Sequence, residues 1–166
     1  VQTCALPIFG HIEGLGDLSH ASIVYSRDQR YGFVFGRDGA LTKVDLLEKR
    51  IEKRIDQAHN SVGGAISQDG RLIASSNYDP GGVRVFSADS LETLAEISTD
   101  DGHGTRSKVV GLVDAPGKRF IFALYEAGEI WVADLSNPKS PKVQKFKAGK
   151  EPYDALLSPE GRYYMA

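Results

Sequence analysis

The chain has 166 residues, 41% of them hydrophobic, which is the length of one domain with enough apolar side chains to form a core. Its formal net charge of −2 gives no indication of a nucleic-acid partner, and no apolar run has the length of a membrane span. Because Cys4 is the only cysteine, an internal disulfide framework is excluded.

The two ends of the chain differ in character from the rest. Residues 1–8, VQTCALPI, are interpreted as a non-native leader, so Cys4 is given no chemical role. The last residues, GRYYMA, stop inside an apparent strand, without a turn or a polar tail behind it. We therefore interpret the chain as an internal fragment of a longer protein, and residues 9–166 as one partial domain.

From residue 20 onward the chain repeats one pattern: an apolar run, a polar turn that ends in arginine, and a second apolar run. The arginines are Arg30, Arg71, Arg119 and Arg162, and they lie 41, 48 and 43 residues apart. A period in the forties is typical of a β-propeller, in which each repeating unit is a four-stranded blade. The predicted fold is therefore all-β.

Four strands are predicted in each complete unit. In chain order they are 20–26, 31–36, 40–46 and 50–56, then 62–67, 71–76, 82–87 and 92–98, then 108–114, 119–125, 129–135 and 142–147. A fourth unit begins at residue 153 and is cut off. The sequence thus predicts a partial β-propeller of about three and a half four-stranded blades.

Residues 46–55, LLEKRIEKRI, form a segment whose pattern also fits a helix. Leu47, Ile51 and Ile55 lie four residues apart and are separated by good helix formers. The corresponding segment of the third unit, residues 141–149, contains proline and alternates in polarity, which is typical of a strand. We therefore predict an outer strand at this position of each unit.

The up-and-down path of the chain divides the loops of a propeller between two rims. The turns between first and second strands (SRDQR, SQDGR, DAPGKR and SPEGR), with the third-to-fourth connections, form what we call the repeated rim; these turns follow one formula that satisfies turn geometry. The turns between second and third strands, with the connections into each blade, form the variable rim. Loops that vary over a rigid repeat are the usual place for binding sites, so we predict a site on the variable rim, over the axis.

Polar and aromatic residues collect on the variable rim. They are His20, His59, His103, Arg37, Arg106, Tyr78, Tyr125, Tyr153 and Asp154. His59 and His103 are flanked by residues typical of exposed loops, and we rank them below His20. The sequence has no nucleophile with a neighbouring base, no cysteine pair and no HxxxH cluster, so conventional hydrolase chemistry has no support.

His20 and Arg37 each admit a structural and a functional interpretation. His20 is either a rim histidine hydrogen-bonded to a neighbouring loop, or an acid, a base or an iron ligand through its neutral imidazole. Arg37 is either a solvated residue of the GRDG turn or the partner of a carboxylate such as a porphyrin propionate.

The remaining candidates are open in the same way. Asn77 is ordinary in a turn, whereas the ring of the neighbouring Tyr78 could stack on a flat ligand. Arg106 follows a glycine-rich loop, where a solvated charge is the simpler explanation. Tyr153 and Asp154 lead into the last inner strand, and an aspartate beside the axis is unusual enough to be a candidate.

Four stretches of the chain resemble the heme d1 propeller family, which includes cytochrome-type nitrite reductases and heme d1 biosynthesis proteins. They are GLGDLSHASIVYSRDQRYGFVFGRDGALTKVDLL, SVGGAISQDGRLIASSNYDPGGVRVF, VVGLVDAPGKRFIFALYEAGEIWVADL and EPYDALLSPEGRYYMA. A piece such as GEIWVADL occurs in many propellers, and the block from His20 to FGRDG is the specific part. The resemblance covers nearly everything after the leader and is closer to the biosynthesis proteins.

The resemblance implies an eight-bladed propeller, of which this chain holds about half. It implies that His20 ligates the iron of heme d1 or of a precursor, and that Arg37 lies near the carboxylates of the macrocycle. If the protein is an enzyme, the catalytic acid or base that acts on the macrocycle is His20 or Asp154. The predicted contacts with the tetrapyrrole are His20, Arg37, Asn77, Tyr78, Arg106 and Tyr153.

The function implied by the resemblance is heme d1 biosynthesis in denitrification, with a late tetrapyrrole intermediate bound as substrate or cargo. Two alternatives stay open: part of a nitrite reductase or a dihydro-heme d1 dehydrogenase, and a propeller that binds only protein. The implied partners are the tetrapyrrole, other heme d1 maturation proteins and nitrite reductase. The usual setting of the family implies a periplasmic location.

Overall fold

The computed structural model describes residues 10–100, 102, 104 and 106–166, and this part of the chain consists of strands, turns and irregular loops. None of it forms a helix of the length and apolarity needed to cross a membrane. The predicted leader, residues 1–8, and His103 lie outside the described residues. The strands are β1 (Ser22–Tyr25), β2 (Tyr31–Phe35), β3 (Ala40–Asp45), β4 (Arg50–Asp56), β5 (Asn60–Ile66), β6 (Leu72–Asp79), β7 (Val83–Ser87), β8 (Thr93–Ile97), β9 (Val109–Ala115), β10 (Arg119–Leu124), β11 (Glu129–Asp134), β12 (Lys142–Lys147), β13 (Leu156–Leu157) and β14 (Tyr164–Met165).

The strands form three four-stranded antiparallel sheets and the start of a fourth. Each sheet takes consecutive strands in chain order, from β1 to β4, from β5 to β8 and from β9 to β12, while β13 pairs with β14. The first strands of the sheets are neighbours, since β1 contacts β5, β5 contacts β9 and β9 contacts β13. This arrangement of blades around an axis confirms the predicted partial β-propeller.

The predicted strands of the three complete blades overlap with the observed ones throughout. A difference near the axis occurs at β1, which begins at Ser22, so that His20 lies in the turn before the strand. The carbonyl oxygen of Leu18 closes this turn by accepting a hydrogen bond of 3.3 Å from the Ala21 N–H. His20 is therefore carried by a connecting segment and not by the sheet itself.

Segment 46–55 forms a turn followed by β4, which confirms the predicted outer strand. Ile55 pairs with Leu41, and Ile51 pairs with Val44, in the register of β3 and β4. The register shifts between these two pairs, and Leu41 and Val44 are three residues apart in β3, so Ile51 and Ile55 lie on opposite faces of the sheet. The spacing of four residues, which would place the two isoleucines on one face of a helix, therefore does not place them on one face of this bulged strand.

The core lies between blades, where the buried faces of adjacent sheets pack together. Between the first and second blades, the rings of Phe33 and Phe35 pack in one cluster with Ile73 and Phe86. A larger cluster between the second and third blades includes Val83, Val85, Phe120, Phe122 and Trp131. These contacts fix the blades relative to one another and so fix the positions of the loops on both rims.

The turns of the repeated rim are closed by their own side chains. In the first blade, Ser26 Oγ donates to Asp28 at 2.6 Å and accepts a bond of 2.9 Å from the N–H that begins β2. In the second blade, Ser67 Oγ makes the same two bonds, to Asp69 at 2.6 Å and from the N–H that begins β6 at 2.9 Å. The serine and the aspartate therefore serve to stabilise the turn.

Candidate functional site

One cavity of about 550 Å³ opens on the variable rim, beside the first strands of the blades. Residues far apart in sequence meet there, because their loops belong to different blades. Five of the predicted site residues line this cavity: His20, Arg37, Tyr78, Tyr153 and Asp154. Its inner wall includes small and aliphatic residues of the first strands, namely Ser22, Val62, Gly63, Gly64, Val110, Gly111 and Leu112.

His20 is exposed at the cavity, on the connection into β1. Asp17 holds this connection: its side chain accepts a bond of 2.9 Å from the Ser19 N–H, and its carbonyl accepts a bond of 2.8 Å from the Arg37 N–H. The hydrogen bonds with Ser19 are the main reason why the pKa of Asp17 is lowered. Within the described part of the chain the imidazole makes no hydrogen bond, so its nitrogens are available to a ligand.

Arg37 lies in the tight turn between β2 and β3. The carbonyl of Gly36 accepts a bond of 3.0 Å from the Gly39 N–H, and Gly39 has a φ of 81°, which glycine adopts without strain. The neighbouring Asp38 is paired with Arg54 at 2.7 Å, which leaves the Arg37 guanidinium without an ion pair among the described residues. A half-buried guanidinium on a cavity wall is suited to bind a carboxylate.

Two tyrosines from different blades are joined at the cavity. The hydroxyl oxygens of Tyr78, near the end of β6, and Tyr153, before β13, are 3.0 Å apart. Burial, and next the hydrogen bond with Tyr153, raise the pKa of Tyr78 to about 12, so this phenol is neutral at physiological pH. The Arg37 guanidinium lies 5.4 Å from the centre of the Tyr78 ring, which adds a cation–π contact between two blades.

Asp154 is exposed at the same cavity, next to Tyr153. Its charge makes a small contribution to the raised pKa of Tyr78. No ion pair or side-chain hydrogen bond of Asp154 involves the described residues. A carboxylate in this position can accept a proton or a hydrogen bond from a ligand.

Asn77 and Arg106, the other two predicted contacts, do not line this cavity. The buried amide of Asn77 exchanges hydrogen bonds with Gln57, accepting one of 2.9 Å and donating one of 3.1 Å. Arg106 pairs with Asp100 at 3.3 Å and lines a separate cavity of about 320 Å³. The structure therefore places Asn77 inside β6 and not in the predicted turn, where it stabilises the connection that carries Gln57, and it places Arg106 apart from the other predicted contacts.

Lys108 is a second cation near the site, and sequence reasoning missed it. Its Nζ lies 5.8 Å from the centre of the Tyr78 ring and 5.5 Å from that of Tyr125. It also pairs with the carboxylate of Glu126 at 3.1 Å. A lysine before a strand is ordinary in sequence, so only the packing of the second blade against the third reveals its position.

Glycines of the inner strands form part of the cavity wall and were not predicted as site residues. A side chain at Gly64 would collide with the ring of Phe35 and with the carbonyl of Ala74, so glycine is required there for packing. At Gly63 an added carbon would meet Ser22 Oγ at 3.1 Å. The glycine pair in SVGGAI is the available sequence signal, because glycine inside a strand often marks a close approach of another group.

The donors at the cavity do not resemble a protein-built metal centre. Within the residues that the structure describes, no group of three or more His, Cys, Asp or Glu side chains could hold a metal ion. His20 is instead a single imidazole beside a cavity. One imidazole is sufficient as a protein ligand for iron that a macrocycle already holds through four nitrogens.

The fold and the cavity define a class of protein: a β-propeller that gathers an imidazole, a guanidinium, two phenols and a carboxylate at one mouth. Residues 3–166 match the family described as Cytochrome D1 heme domain. The chain belongs to this family, which confirms the resemblance seen in the sequence.

Two curated relatives named Protein NirF are similar to most of the chain. The protein of Pseudomonas aeruginosa is 63% identical over 158 residues, which cover 93% of this chain and 40% of the relative. The protein of Stutzerimonas stutzeri is 60% identical over 158 residues, with the same two shares of 93% and 40%. The chain therefore spans 40% of the length of these relatives.

A further curated relative and a solved structure are both named dihydro-heme d1 dehydrogenase. The dehydrogenase of Pseudomonas aeruginosa is 28% identical over 147 residues, or 88% of this chain and 30% of the relative. The solved structure of dihydro-heme d1 dehydrogenase NirN in complex with DHE has a TM-score of 0.76 and 29% identity, and the match covers 87% of this chain and 31% of that one. The solved structure of Kuenenia stuttgartiensis hydrazine synthase matches with 18% identity and a TM-score of 0.69. The match covers 86% of this chain and 40% of that chain, and it shows the fold alone.

Proposed function

We propose that this chain is part of a heme d1 biosynthesis protein that binds a late heme d1 tetrapyrrole on its variable rim. The high identity to two proteins named NirF supports this branch of the family. The observation that carries the proposal is the single cavity lined by His20, Arg37, Tyr78, Tyr153 and Asp154. A role in denitrification is part of the same proposal.

The residues around the cavity fit a flat, carboxylated macrocycle. A volume of about 550 Å³ lies in the range of small-molecule and cofactor sites. A tetrapyrrole is a wide, partly apolar anion, so it requires a cation for its carboxylates and a donor for its iron. Arg37 and His20 supply these groups, and the small residues of the inner strands leave room beside the axis.

The proposed roles follow from the chemistry of each side chain. His20 is the iron ligand through its neutral imidazole, and Arg37 binds a carboxylate of the macrocycle through its planar guanidinium. When bound, the tetrapyrrole supplies the iron and the ring substituents on which a reaction acts. Asp154 at the mouth can exchange a proton with such substituents and is the proposed acid or base, with His20 as the alternative if His20 does not ligate the iron.

A dihydro-heme d1 dehydrogenase is the second candidate function. It is supported by the similarity to the NirN structure, whose description names a complex with DHE. The identity to Protein NirF is much higher, 63% against 28%, and this difference favours the biosynthesis protein. Heme d1 binding by itself does not separate the two, so dehydrogenation of dihydro-heme d1 is the activity that distinguishes them.

Location and protein partners are proposed on the basis of the family alone. We propose a periplasmic protein that contacts other heme d1 maturation proteins and nitrite reductase. The support for this setting is the match to the heme d1 family and the identity to Protein NirF.

Replacing His20 tests the proposed iron ligand. We expect the protein, produced at the length of its curated relatives, to bind purified heme d1 with a long-wavelength absorption band. His20→Ala should shift or weaken that band, because the imidazole donor is lost. His59→Ala is the matched control, since His59 is on the same rim but lies 3.4 Å from the Asp79 carboxylate and outside the cavity.

The two variants, His20→Ala and His59→Ala, separate the possible outcomes. A spectrum of His20→Ala identical to that of the unmodified protein would remove His20 from the iron. A band that changes equally in His59→Ala would point to a general effect of the rim. If the unmodified protein gives no band with heme d1, tetrapyrrole binding is contradicted and the protein-interaction alternative is favoured.

A further inference from the structure

The pair of tyrosine hydroxyls at the cavity holds one more hydrogen atom than its own hydrogen bond requires. The oxygens of Tyr78 and Tyr153 are 3.0 Å apart, so one hydroxyl donates to the other. The hydroxyl that accepts keeps its own hydrogen. Neither hydroxyl has another hydrogen-bond partner among the described residues, so this hydrogen is available to a ligand in the cavity.

The charges around the pair favour Tyr78 as the internal donor. Arg37 and Lys108 lie 5.4 Å and 5.8 Å from the centre of its ring, whereas within the described chain no cation stacks on the ring of Tyr153. A positive charge beside a phenol stabilises the negative charge that develops on its oxygen when its hydrogen is donated. Of the two tyrosines, the one with the nearer cations is therefore the better hydrogen-bond donor. The pKa of Tyr78 is raised to about 12, first by burial and then by the bond to Tyr153, and the second contribution has the sign expected for a hydroxyl that donates in its neutral form.

The available hydrogen is then that of Tyr153, and its position suits a ligand. Tyr153 lines the cavity and its side chain is 54% exposed. Its ring packs edge-on against Tyr125, with 5.9 Å between the ring centres, which restricts its orientation. Because Arg37 lines the same cavity, the Tyr153 hydroxyl adds a second kind of donor for the oxygen-bearing groups of a ligand.

We propose that Tyr78 donates its hydrogen to Tyr153 and that Tyr153 donates its own to a peripheral carboxylate of the bound tetrapyrrole, so that the pair selects carboxylated macrocycles. The inference rests on the proposed function, because it requires a tetrapyrrole in the cavity. Tyr153 is the ligand contact, and Tyr78 is a positioning residue that sets the direction of the Tyr153 hydroxyl. The ring of Tyr78 contacts Arg37 and Lys108 in this arrangement instead of stacking on the macrocycle.

The test compares iron(III) deuteroporphyrin IX with its dimethyl ester, which has the same ring without the carboxylate charges. Dissociation constants of both are measured by absorbance titration for the unmodified protein, Tyr153→Phe and Tyr78→Phe, at the length of the curated relatives. Tyr153→Phe should reduce the preference for the free acid on the order of tenfold, the worth of one hydrogen bond to a charged group. Tyr78→Phe keeps the Tyr153 hydroxyl without its orienting partner, so its expected loss is smaller.

Tyr163→Phe is the matched control, because Tyr163 ends a turn of the repeated rim and is 59% exposed. It should keep the preference of the unmodified protein. Tyr153→Phe retains the aromatic ring and its packing, so the fold is preserved in the variant that matters most. Circular dichroism and the melting temperature check this for each variant.

The possible results are distinguishable. Tyr153→Phe with an undiminished preference for the acid overturns the inference, and so does an unmodified protein that binds acid and ester equally. An equal loss in Tyr153→Phe and Tyr78→Phe contradicts the assignment of Tyr78 as the positioning residue. Failure of the unmodified protein to bind either porphyrin overturns the inference, whereas the proposed function is contradicted only if purified heme d1 is not bound either.

Discussion

The two rims of this propeller use their polar side chains in opposite ways. On the repeated rim, polar side chains bind protein groups: Ser67 donates to Asp69 at 2.6 Å and accepts from the backbone at 2.9 Å, and Arg27 of the first blade donates to the Ser67 carbonyl at 2.6 Å. On the variable rim, the side chains of His20 and Arg37 make neither a hydrogen bond nor an ion pair with the described residues. Polar groups that a rigid fold holds at a cavity without protein partners are the groups that a ligand can use.

The difference reflects what each rim has to connect. A repeated turn joins two neighbouring strands of one sheet, and the turns of the first and second blades are closed by the same local chemistry of serine and aspartate. On the variable rim, the contacts from Arg37 to the ring of Tyr78 and from Tyr78 to Tyr153 run between blades. Changes on the repeated rim should therefore affect stability, and changes on the variable rim should affect binding.

The largest expected effect comes from the core that supports both rims. Phe35 is fully buried and belongs to the cluster with Phe86 and Ile73 between the first two blades. Phe35→Ala should lower the free energy of unfolding by about 3–5 kcal/mol, because a cavity replaces the ring. Urea denaturation measures the loss. Ile23→Ala, at a side chain that is 41% exposed, is the control and should cost less than about 1 kcal/mol.

Both rims should respond to Phe35→Ala through the same loss of folded protein. A loss of stability no larger than that of Ile23→Ala would contradict a core located between the blades.

A smaller and more selective effect is expected on the variable rim. Arg37→Gln removes a cation without an ion pair among the described residues, so its stability should change by no more than about 1 kcal/mol, the worth of the contact with the Tyr78 ring. Its affinity for iron(III) deuteroporphyrin IX should fall on the order of tenfold, because a charged hydrogen bond to a carboxylate is lost. Isothermal titration calorimetry and urea denaturation measure the two quantities.

The matched change on the repeated rim is Ser67→Ala. It leaves the buried N–H of Leu72 without its acceptor, which should cost about 1–3 kcal/mol of stability and leave the affinity unchanged. The claim that the repeated rim serves stability and the variable rim serves binding would be wrong in either of two cases. In the first, Arg37→Gln lowers stability as much as Ser67→Ala; in the second, Ser67→Ala weakens binding as much as Arg37→Gln.

The propeller itself can be predicted from the sequence because its determinants are local and repeated. The arginine-ended turns set the boundaries of the strands that follow them, and comparison between units identifies β4 despite the helical spacing of residues 46–55. The prediction extends the first strand to residue 20, whereas its pairing with β2 starts where Ser22 faces Phe35. That limit is set by the partner strand, which a single segment of sequence does not show.

The residues of the cavity are only partly predictable, because the cavity depends on contacts between blades. His20 and Asp154 can be placed on the variable rim from topology alone. Arg106 belongs to the same rim, yet its pairing with Asp100 closes its loop locally and turns it toward another cavity. Lys108 carries no signal in the sequence, since its approach to Tyr78 requires the relative orientation of two blades.

The smallest expected effect is the response of a repeated turn to pH. The hydrogen bond from Ser67 is the main cause that holds the pKa of Asp69 below its ordinary value of 3.8. Because the fold favours the charged carboxylate, its stabilisation is present above that ordinary value and is lost as the pH falls through the lower pKa of the folded state. Asp69→Asn should therefore cost about 1 kcal/mol or less near neutral pH and lose less stability on acidification than the unmodified protein.

Urea denaturation above and below the ordinary pKa of Asp69 measures this difference. Glu160→Gln is the control, since Glu160 lies in the corresponding turn of the fourth blade and accepts no hydrogen bond from the described residues. It should follow the acid response of the unmodified protein. If Asp69→Asn followed it as well, the carboxylate would not help to close the turn. The turns of the repeated rim would then be closed by their serines and backbone alone. Aspartate would have to be removed from the comparison with the ligand-accessible groups of the variable rim.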